Sequence, residues 1–463
     1  MRAVWPDVFV TDDSIGQCIK EIRRAIGDEA SSQVQTLPKR GYMLAVQVLR
    51  DEPAGELSVA PSLPDKPSIA VLPFQNMSGD PDQEYFADGT VEEITTALSR
   101  IRWLFVIARN SAFTYKGPAI DIRQVGRELG VRYVLEGSVR KSGNRVRVTA
   151  QLINAISGTH IWADRYDHEL DDIFAVQDAI ATAIVGILDP ELTGAEQLRV
   201  MRKPPDKRDA WETFQRGLWH FHKYTAADNK IAQTLYREVI GIDPGFAPGH
   251  YGLVNALLWE VWLYGARTAP EIQPECVRES RIAVALDDRD AVARALHGVV
   301  MLGEGEWDIG LAEARVAYSL NPNNGFVAAA VGKTAGFAGL QDEGIEYLRR
   351  AMRLSPRDPL TWGWLWWMAV FQFYARDFAG ALATLTRVAG MRAGFPYLYM
   401  FTAASLAFLD RHDEARAMFD RLRAEVPAWR RWVEDRPAWL RPEDYELRLE
   451  GMRRAAGTSF DTD

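Results

Sequence analysis

Two breaks in the spacing of hydrophobic positions divide the chain into three folded segments. Residues 51–67 contain four prolines and have neither a helical nor a strand period, which predicts a linker. The second break falls at Lys203-Pro204-Pro205-Asp206. Strand and helix patterns alternate before this point, and the pattern is helical after it. The sequence therefore predicts folded segments at 1–50, 68–190 and 205–430, followed by a capping helix and tail at 431–463.

The last segment repeats with a period of 34 residues. The recurring positions are Ala283, Ala317 and Ala351, then Gly298 and Gly332, then Pro322 and Pro356. Small residues let the two helices of a hairpin approach closely, and each proline ends one hairpin before the next begins. The pattern predicts five or six helical hairpins between Ala210 and Pro427. It also predicts an insertion around Ala266 to Pro274 and a capping helix from Pro442 to Arg454.

These positions resemble the tetratricopeptide repeat, a helix–turn–helix unit of 34 residues. The match is best over residues 289–356. The resemblance implies an all-α solenoid whose concave groove binds a protein or peptide. Trp362, Trp364 and Trp366 are the candidate groove residues. The alternative, which we favour, is that these rings fill space between hairpins, because large aromatic side chains dominate protein cores.

The middle segment alternates strand and helix patterns. Ser68 to Phe74 is a nearly continuous apolar run, which is typical of a buried strand. Further strands are predicted at 104–108, 133–139, 145–152 and 159–166, and helices at 91–101, 122–129 and 173–188. Polar and apolar residues alternate from Arg145 to Ala150, so one face of the sheet is expected to contact water. The pattern predicts an α/β fold.

Two stretches of this segment carry a family resemblance: IAVLPFQNMSGDPDQEYFADGTVEEI and YVLEGSVRKSGNRVRVTAQLINAISGTHIWADRYD. They resemble the TolB-like, FlgO-like domain that occurs beside tetratricopeptide repeats in bacterial regulators. The likeness covers nearly all of residues 68–190. Chains of this type are often named adenylate cyclases by association, since some relatives carry a cyclase domain, but no cyclase domain is recognisable in this sequence.

The first 50 residues have a basic helix followed by a basic hairpin. Ile15, Ile19, Ile22 and Ile26 form one apolar helical face. Strands are predicted at 33–37 and 42–48, and their connection contains Lys39 and Arg40. From Ser14 to Arg50 there are six basic and three acidic residues, a local charge of +3 in a chain of −9.

The stretch VWPDVFVTDDSIGQCIKEIRRAIGDEASSQVQTLPKRGYMLAV closely resembles the C-terminal half of the OmpR/PhoB-type winged-helix domain. In such domains a helix enters the major groove of DNA and the wing contacts the backbone or minor groove. The resemblance implies that the DNA-binding residues are Gln17, Lys20, Arg23, Arg24, Lys39 and Arg40. The alternative is that the basic face is simply solvated. Because only half of the domain is present, we expect the native start to lie upstream of Met1.

The cysteine count and the lengths of the apolar runs indicate the cellular compartment of the protein. Cys18 and Cys276 are the only cysteines, which indicates a reducing compartment and excludes a disulfide framework. The N-terminus lacks a signal-peptide pattern, and the longest apolar run, Leu360 to Ala375, is shorter than the roughly 20 residues that span a bilayer. These observations predict a cytoplasmic protein that does not bind membranes.

The candidate catalytic and metal motifs are weak. Gly332-Lys333-Thr334 looks like the end of a phosphate-binding loop, but Val327 stands where that loop needs glycine, and the motif falls within a repeat helix. His220 and His222 are two residues apart on a predicted helix and would point to different sides. His160, Asp164 and His168 fit polar strand positions better than a catalytic triad. The sequence therefore predicts no enzyme, no metal site and no cofactor.

The fold class expected from the whole sequence is multidomain: a partial winged helix-turn-helix, an α/β TolB-like domain and an all-α tetratricopeptide-repeat solenoid. The favoured function is a DNA-binding transcription regulator with two partners: double-stranded DNA, if the winged helix is complete in the native protein, and a protein or peptide in the repeat groove. A homodimer is a further expectation, although no dimer interface is identifiable. Two alternatives remain: an interaction scaffold with an inert winged-helix remnant, and a small-ligand or nucleotide site in the α/β segment.

Overall fold

The computed structural model describes residues 34–37, 41–44, 66–117, 121–169, 173–188, 208–392, 395–426 and 429–457, together with Gln17, Ile19, Lys20, Pro64 and Phe460. The chain divides into two units, Met1–Ser58 and Val59–Asp463.

The first unit contains a helical stretch and a hairpin. Gln17, Ile19 and Lys20 are helical; Gln17 and Lys20 are exposed and Ile19 is half-buried, as the amphipathic pattern predicts. Strands β1 (Val34–Leu37) and β2 (Gly41–Leu44) pair antiparallel. Of the predicted DNA-binding residues, Arg23, Arg24, Lys39 and Arg40 lie outside the described residues. The winged-helix assignment stays a prediction.

The α/β domain of the second unit is built on one mixed sheet. Its strands are β3 (Ser68–Val71), β4 (Gln75–Asn76), β5 (Phe105–Val106), β6 (Tyr133–Ser142), β7 (Arg145–Asn154) and β8 (Thr159–Glu169). The order is β5-β3-β6-β7-β8, and β4 also pairs with β6. Strand β3 runs parallel to β5 and β6, whereas β6, β7 and β8 form an antiparallel meander. The predicted strands are confirmed, although β3 and β5 are shorter than their apolar runs.

Helices cover both faces of this sheet because apolar residues alternate along β3. Ile69 and Val71 share a core with helices α1 (Glu84–Ser99) and α4 (Ile173–Leu188). Ala70 and Leu72 point the other way and pack with α3 (Ile122–Leu129). A short helix α2 (Arg109–Ala112) follows β5, and two 3₁₀ turns, Pro81–Gln83 and Phe113–Tyr115, complete the domain.

Six helical hairpins follow within the described ranges 208–392 and 395–426. They are α5 (Arg208–Phe221) with α6 (Ala226–Ile242), α7 (Ala247–Trp262) with α8 (Ala269–Leu286), α9 (Ala291–Gly303) with α10 (Trp307–Leu320), α11 (Gly325–Phe337) with α12 (Gln341–Leu354), α13 (Thr361–Tyr374) with α14 (Phe378–Met391), and α15 (Pro396–Phe408) with α16 (His412–Glu425). Helices α17 (Trp429–Glu434) and α18 (Pro442–Ala456) end the array. The predicted solenoid is confirmed, and helix α18 covers the predicted range Pro442 to Arg454, whereas its capping role stays a prediction.

The recurring glycines mark the closest approach of paired helices. A Cβ added at Gly298 would lie 2.6 Å from the carbonyl oxygen of Gly310, and one at Gly332 would lie 2.9 Å from that of Gly344. Gly310 and Gly344 are themselves 34 residues apart on the second helices. Larger side chains at these positions would push the paired helices apart.

The predicted insertion is absorbed by longer helices. Helix α8 starts at Ala269 and continues through Pro274, so the extra residues do not form only a loop. Helices α7 and α8 have 16 and 18 residues, compared with 13 and 14 in the next hairpin.

Each hairpin turns through a residue with a positive φ angle. Three of these residues are Gly265, Gly305 and Gly339, whereas the other three are Tyr224, Arg376 and Asp410. The left-handed conformation strains a residue that has a Cβ atom. Tyr224, with φ at 57°, is the bulkiest of the six and lies against the cavity described below.

None of the helices that the structure describes has the length and apolar character needed to cross a membrane.

Candidate functional site

The turns between successive repeats hold the α/β domain. Asn321 and Ser355 are the polar residues of the two Leu-polar-Pro steps. The Nδ2 atom of Asn321 donates to the hydroxyl of Ser99 at 2.8 Å, and the hydroxyls of Ser355 and Ser111 are 2.9 Å apart. The steps that end one hairpin before the next therefore also bind the α/β domain.

Neighbouring residues reinforce this contact. The Nδ2 atom of Asn323 donates to the carbonyl oxygen of Ile101 at 2.9 Å, and Asn110 donates to the carboxylate of Asp358 at 3.0 Å. Asn323 and Asp358 are 4% and 7% exposed. Polar groups that are paired and shielded from water in this way fix one arrangement of two domains, because separating the domains would leave the groups without partners.

The first hairpin contacts the same domain through apolar packing. Phe86 of α1 meets Trp211 of α5 edge to face, with ring centres 5.5 Å apart. Lys141 of β6 forms an ion pair of 3.1 Å with Glu212. The sheet, α1 and the first three hairpins contribute to one continuous core.

A cavity of about 790 Å³ lies between these two contact regions. Helices α1 and α2 form one side of it. The first helices of the hairpins from α5 to α13 form the other, and the turns that begin at Asp287 and Asn321 also contribute. The α/β domain thus lies over the surface where the sequence predicts an open groove, because the repeat turns hold it there. The predicted protein or peptide groove is correspondingly reduced.

Lys333 of α11 lies between two indole rings of this cavity. Its Nζ atom is 5.0 Å from the ring centre of Trp262 and 4.9 Å from that of Trp367. Burial lowers the pKa of the Lys333 ammonium to about 8, so the side chain remains mainly charged at neutral pH.

A second polar group of the cavity comes from the end of α5. His222 Nδ1 and the Tyr224 hydroxyl are buried and lack hydrogen-bond partners among the described residues. Burial, with a smaller effect of Arg109, holds the pKa of His222 well below its usual value, so the imidazole is neutral. Burial also raises the pKa of the Tyr224 hydroxyl. Nearby, Arg109 Nε lies 2.8 Å from a carboxylate oxygen of Glu92.

The three predicted tryptophans line an adjoining apolar pocket of about 160 Å³. This pocket shares Trp259, Trp262, Leu360, Trp364 and Trp367 with the larger cavity. Trp366 is 5% exposed and packs on Phe395 and Phe401 at 5.1 and 5.2 Å, as a core residue does. Trp362 and Trp364 are half-buried. The partner-binding role of the three residues stays a prediction.

The sequence alone did not identify Lys333 and His222 as cavity residues. Lys333 was visible only as a false phosphate-binding motif, and His222 only as a rejected metal ligand. One signal was available: Lys333 is the one charged residue of helix α11, GFVAAAVGKTAGF. A lone cation in an apolar helix needs either water or a partner. Within the ranges that the structure describes, no three His, Cys, Asp or Glu side chains gather as metal ligands.

Residues 65–183 match the family model described as HilA/YgeH-like transcriptional regulator, second domain. A protein of Rhizobium meliloti (strain 1021) named "Putative adenylate cyclase 3" is 50% identical over 204 residues, which are 44% of this chain and 35% of that protein. The transcriptional regulator HilA of Salmonella typhimurium is 20% identical over 359 residues, 76% of this chain and 62% of that one. The chain thus spans about one third and three fifths of these relatives.

Among solved structures, a thermophilic tetratricopeptide-repeat protein of Thermus thermophilus is 15% identical, with a TM-score of 0.33. The similarity covers 42% of this chain and 98% of that one.

The expectation that the chain is not an enzyme is wrong as stated. A relative that is half identical over 204 residues has an enzyme's name, so the absence of familiar catalytic motifs does not justify a non-catalytic assignment.

The family match and the helical hairpins support part of the predicted architecture. The family match concerns the α/β domain, and the helical hairpins form the solenoid that follows it. Residues 65–183 are therefore similar to the second domain of HilA/YgeH-like transcriptional regulators, and a tetratricopeptide-like solenoid follows them.

Proposed function

We propose that the chain is a DNA-binding transcription regulator in which residues 1–50 contact DNA and the repeat array receives a protein or peptide partner. The observation that carries this proposal is the match of residues 65–183 to the second domain of HilA/YgeH-like transcriptional regulators. That domain follows a basic segment with an exposed Gln17 and Lys20 on a helix and a hairpin after it. A basic helix and hairpin are the parts with which winged-helix proteins contact DNA.

In this proposal the α/β domain, of TolB-like type, couples the two ends of the protein. It is hydrogen-bonded to the repeat turns at Asn321, Asn323 and Ser355. A partner that shifts the stacking of the hairpins would therefore also shift the α/β domain, which follows the DNA-binding segment in the sequence. Half-buried Trp362 and Trp364 supply aromatic surface for such a partner.

DNA binding is tested by fluorescence anisotropy with the full chain and fragments of genomic DNA, over a range of salt concentrations. We expect weak binding that falls further as salt rises, because residues 1–50 resemble only half of a winged-helix domain and because lysine and arginine contacts release counterions from the phosphates. The variant that combines Arg24→Ala and Arg40→Ala should weaken binding at least tenfold, since each charge-assisted contact contributes about 1–3 kcal/mol.

A matched control replaces Arg237, which is exposed on α6 and paired with Glu275 at 3.0 Å. Arg237→Ala should leave DNA binding unchanged. Equal binding by the control and the double variant would remove the proposed DNA contact. Absence of any DNA binding by the full chain would favour an interaction scaffold instead.

The similarity to a protein named "Putative adenylate cyclase 3" supports a second candidate, nucleotide cyclase activity. The test is incubation of the full chain with ATP and Mg²⁺ or Mn²⁺, followed by measurement of cyclic AMP. Formation of cyclic AMP in proportion to protein concentration would favour this candidate. No product above a heat-denatured control would count against it for this chain.

A further inference from the structure

We propose that the cavity between the α/β domain and the repeats binds a small organic anion with an aromatic or apolar body, and that Lys333 holds its negative group. This ligand site goes beyond the proposed DNA and partner binding. It rests on the walls of the cavity, on the position of Lys333, and on the polar groups that the fold leaves without partners.

Lys333 has no counter-charge among the described residues. The structure gives its Nζ atom two indole faces, but no carboxylate or hydrogen-bond acceptor among the described residues. Two indole rings stabilise an ammonium group by less than the free energy that is needed to remove it from water. An anion that enters the cavity would supply the missing counter-charge.

Three carboxylates of the cavity already have partners. Glu92 pairs with Arg109 at 2.8 Å, Asp290 accepts from the first amides of α9, and Asp358 accepts from Asn110 and Ser355. These carboxylates therefore do not compete for Lys333. A cationic ligand, which an aromatic cage would otherwise suit, is disfavoured because Lys333 already places a positive charge between the rings.

The side chains that line the cavity indicate the chemistry of the rest of the ligand. Trp259, Trp262, Trp364 and Trp367 offer aromatic surface. His222 Nδ1 and the Tyr224 hydroxyl offer two polar groups without partners in the described structure. Buried polar atoms are nearly always hydrogen-bonded, so orphaned atoms in a cavity indicate a missing partner. The volume of about 790 Å³ is within the range of small-molecule sites.

The test uses two fluorescent probes with similar aromatic bodies and different charges, anilinonaphthalene sulfonate and neutral phenylnaphthylamine. The full chain is titrated with each, and energy transfer from tryptophan reports binding near the indole rings. We expect saturable binding of both probes. Lys333→Met keeps most of the side-chain volume and removes the charge, so it should weaken sulfonate binding at least tenfold and leave the neutral probe unchanged.

Lys223→Met is the matched control. Lys223 Nζ lies 3.5 Å from the ring centre of Trp219, so it also makes a cation–π contact, but neither residue lines the cavity. This variant should bind both probes like the unmodified chain. Displacement of the sulfonate probe by benzoate or by AMP then identifies the preferred anionic group as carboxylate or phosphate.

The proposal is overturned if the unmodified chain shows no saturable sulfonate binding, or if Lys333→Met binds the sulfonate probe as tightly as the unmodified chain. Circular dichroism of both variants checks that they are folded. The titrations contain no DNA, so their outcome is independent of whether residues 1–50 bind a promoter.

Discussion

The repeat turns and the cavity wall come from the same hairpins but differ in how their polar groups are satisfied. At the turns, Asn323 and Asp358 are buried and hydrogen-bonded to the α/β domain, whereas the Oδ1 atom of Asn321 has no partner among the described residues. In the cavity, His222 Nδ1 and the Tyr224 hydroxyl have no partner among the described residues, and Lys333 has only aromatic faces. The contacts at the turns therefore stabilise the fold, whereas the cavity wall has polar groups that are available to a ligand. Substitutions should therefore have opposite effects in the two regions.

The largest effect is expected at the turns. Asp358→Ala should lower the free energy of unfolding by about 2–4 kcal/mol, because Asn110 and the Ser355 hydroxyl lose a buried acceptor. Urea unfolding followed by circular dichroism measures the change.

Two comparisons sharpen this prediction. Asp342→Ala, at an exposed helix start, should change stability by less than about 1 kcal/mol. A double-mutant cycle of Asn110→Ala with Asp358→Ala should show coupling of about 1 kcal/mol or more across the domain contact. Zero coupling would mean that the turn stabilises only its own hairpin.

The cavity should respond in the opposite direction. Lys333→Met is expected to raise the free energy of unfolding by about 1–2 kcal/mol, since it removes a desolvated charge without a counter-ion. The same denaturant series measures the gain. Lys223→Met, at an exposed position, should stay within about 0.5 kcal/mol of the unmodified chain. A lower free energy of unfolding in Lys333→Met would mean that Lys333 stabilises the fold, as the turn residues are expected to do.

The affinity for the sulfonate probe and the stability of the free chain should depend on pH in opposite directions. The pKa of Lys333 is lowered to about 8 from an ordinary 10.5, so the lysine loses its charge as pH rises through 8. Affinity for the sulfonate probe should fall several-fold between pH 7 and pH 9. Stability of the free chain should instead rise between pH 8 and 10.5, because the unfolded chain there binds more protons than the folded one.

Other titratable or charged groups line the same cavity and define the control. They are Glu92, Glu93, Arg100, Arg102 and Arg109 from the α/β domain, and His222, Tyr224, Tyr236, Tyr251, Asp287, Asp288, Arg289, Asp290 and Asp358 from the repeats. The pKa of His222 is lowered and that of Tyr224 is raised, so neither changes charge near pH 8. Lys333→Met should abolish both pH trends. A trend that persists in this variant would come from another of these groups.

The smallest effect concerns the strained turns. Arg376→Gly, at an exposed turn with φ at 64°, should stabilise the chain by about 1 kcal/mol by relieving the left-handed strain. Tyr224→Gly relieves a similar strain but removes a ring that stacks on Trp259 at 5.3 Å. It should therefore give no net gain. Thermal unfolding of both variants measures the difference, and an equal gain would mean that the Tyr224 ring adds nothing to the cavity wall.

Local pattern was enough to predict most of the elements. The helix at Ile173–Leu188 and the short helix at Ile122–Leu129 agree with their predicted bounds. Alternation along β7 predicted one wet face, and Arg145 and Arg147 are exposed while Val146 and Val148 are buried. The period of 34 residues located Gly298 and Gly332 at the close contacts between helices. Such signals are readable because helix and strand periods record which side of an element is buried.

The sequence by itself determined the strands, the helices and the hairpins, whereas only the tertiary structure decided what each buried face meets. Asn321 reaches Ser99 across 222 positions, and Asn110 reaches Asp358 across 248. No local period encodes pairs so far apart, so the turns that hold the α/β domain could be recognised only as helix ends. Lys333 was likewise an isolated charge on an apolar helix until the fold placed it between Trp262 and Trp367. The physical reason is that periodicity specifies the burial of a face, and long-range packing specifies its partner.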